Sequence, residues 1–424
     1  MTVVIRGFGA LTPFGNENAA FVDGIMGNES AVAPLPEPLA GTRPGVAGLV
    51  QLTNRDLLKL PHCRGLRPGT MTRYTFLSTG ALALCLGDAG IDELPDEDAG
   101  RRGVYCGTYT NSSEVEKYAR LALATADPDA RRDGRFEFDS SLIPSAMKRF
   151  TGFEFLKLMN NMPTAHGSIH AKCQGPCQSF LGNPLAGLHA VGQGTRALQM
   201  DLADTLFAGG TGSASMDAML ILRDMKGWLA PRPDSSDQLP AVAFDEHGAG
   251  TIPGEGAAFV ALGRTDGDGP VRAYIHGFAT AWVGRGEGWS VELASDVIGR
   301  ALAEAQWDAA SVDIVTALGM GHQENDQREL QTLQRALGDA RPPLLTLTRR
   351  IGFLEAAHGN VLLAAIVHAL SNQCYPALEV PEHPLPGYDF ALQAPDSPPR
   401  RALVFGAEPG GQVVALAVGV DAPA

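Results

Sequence analysis

Residues 175–190 read G-P-C-Q-S-F-L-G-N-P-L-A-G-L-H-A. The segment through Cys177 reads as a strand leading into a sharp turn. Asn183-Pro184 then reads as a helix N-cap followed by the first helical residue, because proline's missing N–H has no partner to lose there. A helix start is where a cysteine thiol is most readily held as thiolate, since the anion is stabilised by the unpaired N–H groups. Here that place carries Pro184, whose ring can neither attack a thioester nor hold an acyl group. The stretch predicts a strand–turn–helix elbow without a nucleophile at its tip.

The surrounding composition suits a large globular protein. The chain has 424 residues, 45% of them hydrophobic, with 50 glycines and 29 prolines, enough for an extensive core and, by length alone, two or three domains. A formal charge of −14, with Arg349-Arg350 as the densest positive cluster, excludes a nucleic-acid partner. The six cysteines, at 63, 85, 106, 173, 177 and 374, lack the second close pair or histidine pair of a zinc site, so no metal and no cofactor is expected. They read as buried free thiols. The start M-T-V-V-I-R-G has no signal-peptide pattern, and no apolar run reaches a membrane span. A soluble, cytoplasmic protein with no membrane partner is expected.

Along the chain, V-V-I-R-G-F-G-A-L-T-P-F-G-N (3–16) reads as a strand entering a glycine turn. A phosphate-binding loop there would need a lysine and a glycine spacing that are missing. Residues 71–90 have helical periodicity, 101–107 read as a strand, 123–148 as a polar surface excursion, and 147–162 as helical again. The turn D-G-D-G-P (266–270) precedes a new strand and divides the chain into halves 1–265 and 266–424. The second half contains helical A-L-A-E-A-Q (301–306) and E-L-Q-T-L-Q-R-A-L (329–337), and ends in a strand pair over 402–418. Strands alternating with helices in both halves predict layered α/β architecture.

Several of these segments together resemble β-ketoacyl synthases. The elbow matches G-P-x7-C-x-S-G-x-H at Gly175, Pro176, Gly187 and His189, with Pro184 at the cysteine. The register continues without a gap through Asp201, Ala203 and Asp204 into Ala208-Gly209-Gly210. The opening residues 3–16 match the family's first strand, with Arg6 in place of a threonine, and residues from Phe244 match its F-D…G-E-G-A hairpin. The resemblance implies the thiolase fold, five α-β-α-β-α layers built from two similar halves. It also implies two histidine motifs. The first, H-G-T-G-T, stands here as Leu318-Gly319-Met320-Gly321-His322, registered by Asn325, Asp326 and Glu329. The second, K-S-x-x-G-H, stands as Thr348-Arg349-Arg350-Ile351-Gly352-Phe353, registered by Glu355, Ala357 and Gly359. Cysteine, histidine, lysine and histidine have thus become Pro184, Leu318, Thr348 and Phe353. The family's F-G-F-G-G-T-N loop is replaced by Phe405-Gly406-Ala407-Glu408-Pro409-Gly410-Gly411-Gln412, which lacks the gating phenylalanine.

These losses leave no group to stabilise a developing enolate, so decarboxylation is excluded along with condensation. His322 reads as a surface or loop histidine. Within the family the pattern is similar to the chain length factor, the β-subunit that heterodimerises with a catalytic ketosynthase in type II polyketide synthases. Pro184 departs from the glutamine usual in such subunits. The resemblance implies a ketosynthase partner, a growing polyketide chain held in a tunnel at the shared interface, and an acyl carrier protein engaged indirectly. Tunnel or interface candidates are Tyr109, Val115, Asn161 and Met162. Tyr109→Ala lengthens the product if Tyr109 is a gate. Two alternatives stand beside this reading. One is a homodimeric, non-catalytic scaffold for acyl chains or carrier protein. The other is an acyltransferase using Cys177, Ser179 or Ser168, with His166 or His170 expected on the strand–loop path beside them.

Overall fold

The computed structural model describes residues 2–35, 45–59, 68–91, 94–109, 125–132, 135–148, 156–157, 159–182, 184–213, 220, 223–231, 243–283, 288–390 and 394–422. Ten strands form one continuous sheet, and its two halves repeat the same plan. In the first, β4 (Arg102–Thr108) lies parallel to both β7 (Cys177–Leu181) and β8 (Thr205–Gly212). β9 (Gly256–Arg264) and β1 (Val3–Leu11) continue it antiparallel. In the second, β11 (Ile314–Thr316) lies parallel to β12 (Leu344–Leu345) and β13 (Arg401–Ala407). β14 (Gln412–Gly419) and β10 (Ala273–Trp282) follow antiparallel. β1 and β10 pair over Val3–Ile5 and join the halves. Two further pairs stand apart: β2 (Val32–Pro34) with β3 (Val46–Gly48), and β5 (Ala126–Arg132) with β6 (Arg135–Phe138).

Helices cover and separate the strands. α1 (Asn18–Met26) follows β1, and α2 (Asn54–Leu57) is a short turn. α3 (Arg73–Asp88) packs on β1 and β9 together with α5 (Met162–His170), while α4 (Ile143–Met147) follows the β5–β6 hairpin. α6 (Ala186–Gln199) and α10 (His358–Asn372) form the central layer and touch strands of both halves. α7 (Val291–Ala305) and α8 (Gln323–Leu337) cover the far side, and α9 (Thr348–Ile351) is a single turn. The result is the α-β-α-β-α arrangement. It explains why β1, β9, β13 and β14 read as nearly continuous apolar runs: strands covered on both faces have no solvent side. It also explains Gly9, where a Cβ would lie 2.0 Å from the Ala81 carbonyl oxygen of α3.

Several expectations are corrected. The elbow helix begins at Ala186, so Pro184 belongs to the preceding turn; Leu185 at φ −94° and ψ 1° is the N-cap, without a side-chain cap. Asn183 and Val115 lie outside the described residues. His166 and His170 are on α5, which starts at Met162 where a helix was expected to end. The excursion at 123–148 contains a hairpin and α4. The segment after Phe244 is no hairpin: Asp245 and Thr251 bridge to Pro384 and Leu229, and only β9 is extended strand. Cys177 is an exposed thiol on an edge strand, while Cys85, Cys106 and Cys173 are buried.

Candidate functional site

β4, β7 and β8 are parallel, and their carboxyl ends form the crevice where α/β sheets place their chemistry. The elbow sits there. Pro184 and Leu185 are buried, and a Cβ on Gly187 in the first turn of α6 would lie 2.2 Å from the Ala356 carbonyl oxygen. Only glycine lets α6 approach that strand of chain so closely. A proline at this turn removes both a side-chain nucleophile and a backbone N–H that a neighbouring oxyanion would need.

The other three motif positions converge on the same crevice. Leu318, Thr348 and Phe353 are fully buried, and Leu318 and Phe353 share one apolar cluster with Leu185, Met320, Leu347 and Ile351. Leu185 and Leu318 both crowd Gly406 of β13. The Thr348 hydroxyl donates to the Leu318 carbonyl at 3.1 Å and meets His358 Nε2 at 3.3 Å. The His358 ring lies 4.8 Å from that of Phe353. His358 therefore touches both Thr348 and Phe353, and burial pulls its imidazole down to about 3, so it is neutral. Sequence reasoning missed it; its one signal was a histidine in an otherwise apolar helix start.

Backbone geometry is kept where side chains differ. Glu329 accepts hydrogen bonds from the Leu318, Gly319 and Ala407 amides at 3.3, 3.0 and 3.1 Å. Asp326 accepts from Phe244 and Gly321. Burial pushes Asp326 up to about 7, and burial with the nearby Asp326 pushes Glu329 up to about 8. His322 caps α8, its Nδ1 accepting from the Asn325 amide at 3.4 Å, and its ring packs on Trp228 rather than at the elbow. In the β13–β14 turn, Glu408 accepts from the Gly410 and Gln412 amides and is buried.

A second polar feature was not anticipated. Arg223 and Glu355 form a bidentate pair at 2.6 and 2.5 Å, both side chains buried, with the guanidinium over the Phe353 and Trp228 rings. Tyr109, half-buried just past β4, lies within electrostatic reach of this pair and of Glu408. Asn161 is exposed at the start of α5 and Met162 half-buried beside it, and the Thr108 hydroxyl next to Tyr109 donates to the Asn160 carbonyl at 3.4 Å.

The alternative nucleophiles are engaged elsewhere. Ser179 Oγ pairs with Thr164 Oγ1 at 2.6 Å, Ser168 donates to the Ala165 carbonyl, and His166 Nε2 meets Thr70 Oγ1. Desolvation raises the Cys177 thiol above its ordinary value, the opposite of activation. Among the described residues no cluster of histidine, cysteine, aspartate or glutamate has the makings of a metal site, and no helix is long and apolar enough to cross a membrane.

Comparison with known proteins agrees with this geometry. The family profile Beta-ketoacyl synthase, N-terminal domain matches residues 1–267, and Beta-ketoacyl synthase, C-terminal domain matches 274–379. The chain belongs to the β-ketoacyl synthase family. Among relatives of this β-ketoacyl synthase family member, a Streptomyces halstedii protein named "Putative polyketide beta-ketoacyl synthase 1" is 26% identical over 92% of this chain and 90% of its own length. Two solved structures share the fold over 99% of both chains at 18% identity. They are the ishigamide ketosynthase/chain length factor, TM-score 0.83, and AntDE:AntF, a type II acyl-carrier protein in complex with its ketosynthase, TM-score 0.82.

Proposed function

We propose that this chain is a non-catalytic chain length factor: it heterodimerises with a catalytic ketosynthase of a type II polyketide synthase and shapes the tunnel that limits chain growth. The observation that carries the reading is the character of the elbow crevice. The four positions where a condensing enzyme needs a thiolate, two imidazoles and an ammonium hold Pro184, Leu318, Thr348 and Phe353, and all are buried in close packing. None supplies a nucleophile, a base or a donor for an enolate.

A partner is supported at the sheet edge. Among the described residues β7 ends the ten-stranded sheet with one side unpaired, and exposed apolar side chains stand beside it. Leu181 is 49% exposed, Ile169 of the neighbouring α5 is 75% exposed, and Leu156 and Met159 are exposed nearby. An unpaired edge with an apolar rim is costly in a monomer and suited to another sheet edge of the same fold. In this reading the halves 1–265 and 266–424 mirror the partner's. Tyr109, Val115, Asn161 and Met162 remain the tunnel and interface candidates, and the partner takes the carrier protein.

The test is the native mass of the protein from its own host. A 1:1 complex with a cysteine-bearing ketosynthase is expected. A stable homodimer without such a partner overturns the proposal in favour of an acyl-binding scaffold.

A further inference from the structure

The Arg223–Glu355 pair is expensive. Two charges are taken out of water, with Arg223 3% and Glu355 6% exposed, and such a pair adds little net stability over apolar packing. Arg223 spends two nitrogens on Glu355 and, among the described residues, leaves Nη1 buried without a partner. Glu355 itself holds φ at +53°, a conformation that non-glycine residues avoid. Buried charge, an unsatisfied donor and backbone strain at one point indicate a place held for function rather than stability.

That place is the crevice above the elbow. Glu355 lies two residues past Phe353, and the guanidinium covers the Phe353 ring at 5.7 Å from its centroid. A Cβ on Gly212 at the carboxyl end of β8 would lie 2.9 Å from Glu355 Cβ. The next residue's carbonyl oxygen, Ala356 O, lies against Gly187 of α6. The Trp228 ring also lies 5.7 Å from the guanidinium carbon. Charges of both signs, Arg223 with Glu355 and Glu408, are thus gathered beside the elbow.

We propose that the Arg223–Glu355 pair is a built-in plug, which refuses acyl-carrier thioesters to this chain's own crevice and so leaves them to its partner. The proposal rests on the non-catalytic reading of the same site and goes beyond it. Loss of the nucleophile and closure of the chamber become two separate devices, and restoring a thiol restores no access.

The experiment places a thiol at the elbow and asks what reaches it. P184C is treated with a chloroacetamide of a pantetheine analogue whose terminal thiol is replaced by an amine. The thiolate attacks the carbon bearing chlorine, an S–C bond forms, chloride leaves and the thiol proton passes to buffer. Labelling is followed on the peptide carrying position 184, with exposed Cys177 as the internal standard. With the pair intact, labelling at 184 is expected to be at least tenfold slower than at Cys177. In P184C/R223A/E355A, which removes both charges together, it is expected to rise at least tenfold. Should that variant fail to fold by native mass, P184C/R223L/E355A keeps part of the packing and gives the same readout. Labelling of P184C at the rate of Cys177, or an unchanged rate in a folded variant lacking the pair, overturns the plug. The readout is on this chain alone, so absence of a ketosynthase partner defeats the proposed function without touching this result.

Discussion

His358 shows how a single side chain can hold a site together without reacting. Its Nε2 meets Thr348 and its ring packs on Phe353. Burial takes its pKa from the ordinary 6.5 to about 3. The folded state therefore prefers the neutral ring, while the unfolded chain binds a proton below about 6.5. Stability from this residue is complete above that pH and is lost progressively as pH falls toward 3. Asp326 and Glu329 act in the opposite sense, because their raised values favour the folded state in acid and cost stability as pH rises toward 7 and 8. Comparing one variant with the wild type separates the two effects. H358Q should lose less melting temperature than the wild type between pH 7 and pH 4.5. Parallel melting curves against pH would show that the imidazole is not held neutral.

At the scale of elements, the edge strand β7 carries the association proposed above. It is five residues long, parallel to β4 on one side and, among the described residues, unpaired on the other. The apolar side chains beside it, Ile169 and Leu181, are more exposed than a monomer's surface requires. Charges placed there should repel an incoming apolar edge while leaving the buried core untouched. I169E/L181E is expected to weaken the ketosynthase complex at least tenfold, read by native mass across a dilution series, with the melting temperature of the isolated chain nearly unchanged. Association at wild-type strength would move the interface elsewhere. The β13–β14 turn makes a different point at this scale. Glu408 there satisfies two of the turn's amides, so this charged side chain is a structural part of the loop.

For the whole molecule, the question is how firmly the two halves are joined. β1 crosses between them, pairing with β9 of its own half and β10 of the other. Arg6 of β1 departs from the family's threonine and fastens the connecting turn. Its guanidinium donates to the Arg264, Gly267 and Gly269 carbonyls at 2.7, 2.7 and 3.1 Å and is 6% exposed. Removing it leaves those carbonyls without their charged donor. R6A is expected to cost about 3 kcal/mol, since hydrogen bonds to a charged group contribute roughly 1.5–3 kcal/mol each but are not additive. Because α6 and α10 are shared by both halves, unfolding in denaturant should stay a single transition. Two separate transitions in R6A would show that the halves are independent units.

Local sequence was sufficient for what depends on neighbours in the chain. The apolar strands of both halves, α3, α7, α8 and the closing strand pair follow from periodicity and turn residues. That 184, 318, 348 and 353 carry proline, leucine, threonine and phenylalanine is read directly from the sequence; that these are the positions of a condensing enzyme's catalytic residues belongs to the proposal. Tertiary structure decided the rest. An N-cap at Asn183 is the local reading, yet the helix starts at Ala186, where Gly187 lies against residue 356. His166 and His170 belong to a helix because α5 packs on α3 and β4. The Arg223–Glu355 pair joins residues 132 positions apart, and His358 meets Thr348 only because α9 and α10 fold back on Leu318. Ion pairs and burial are properties of distance through space, and spacing along one chain does not encode which distant segments the packing of a shared helical layer brings together.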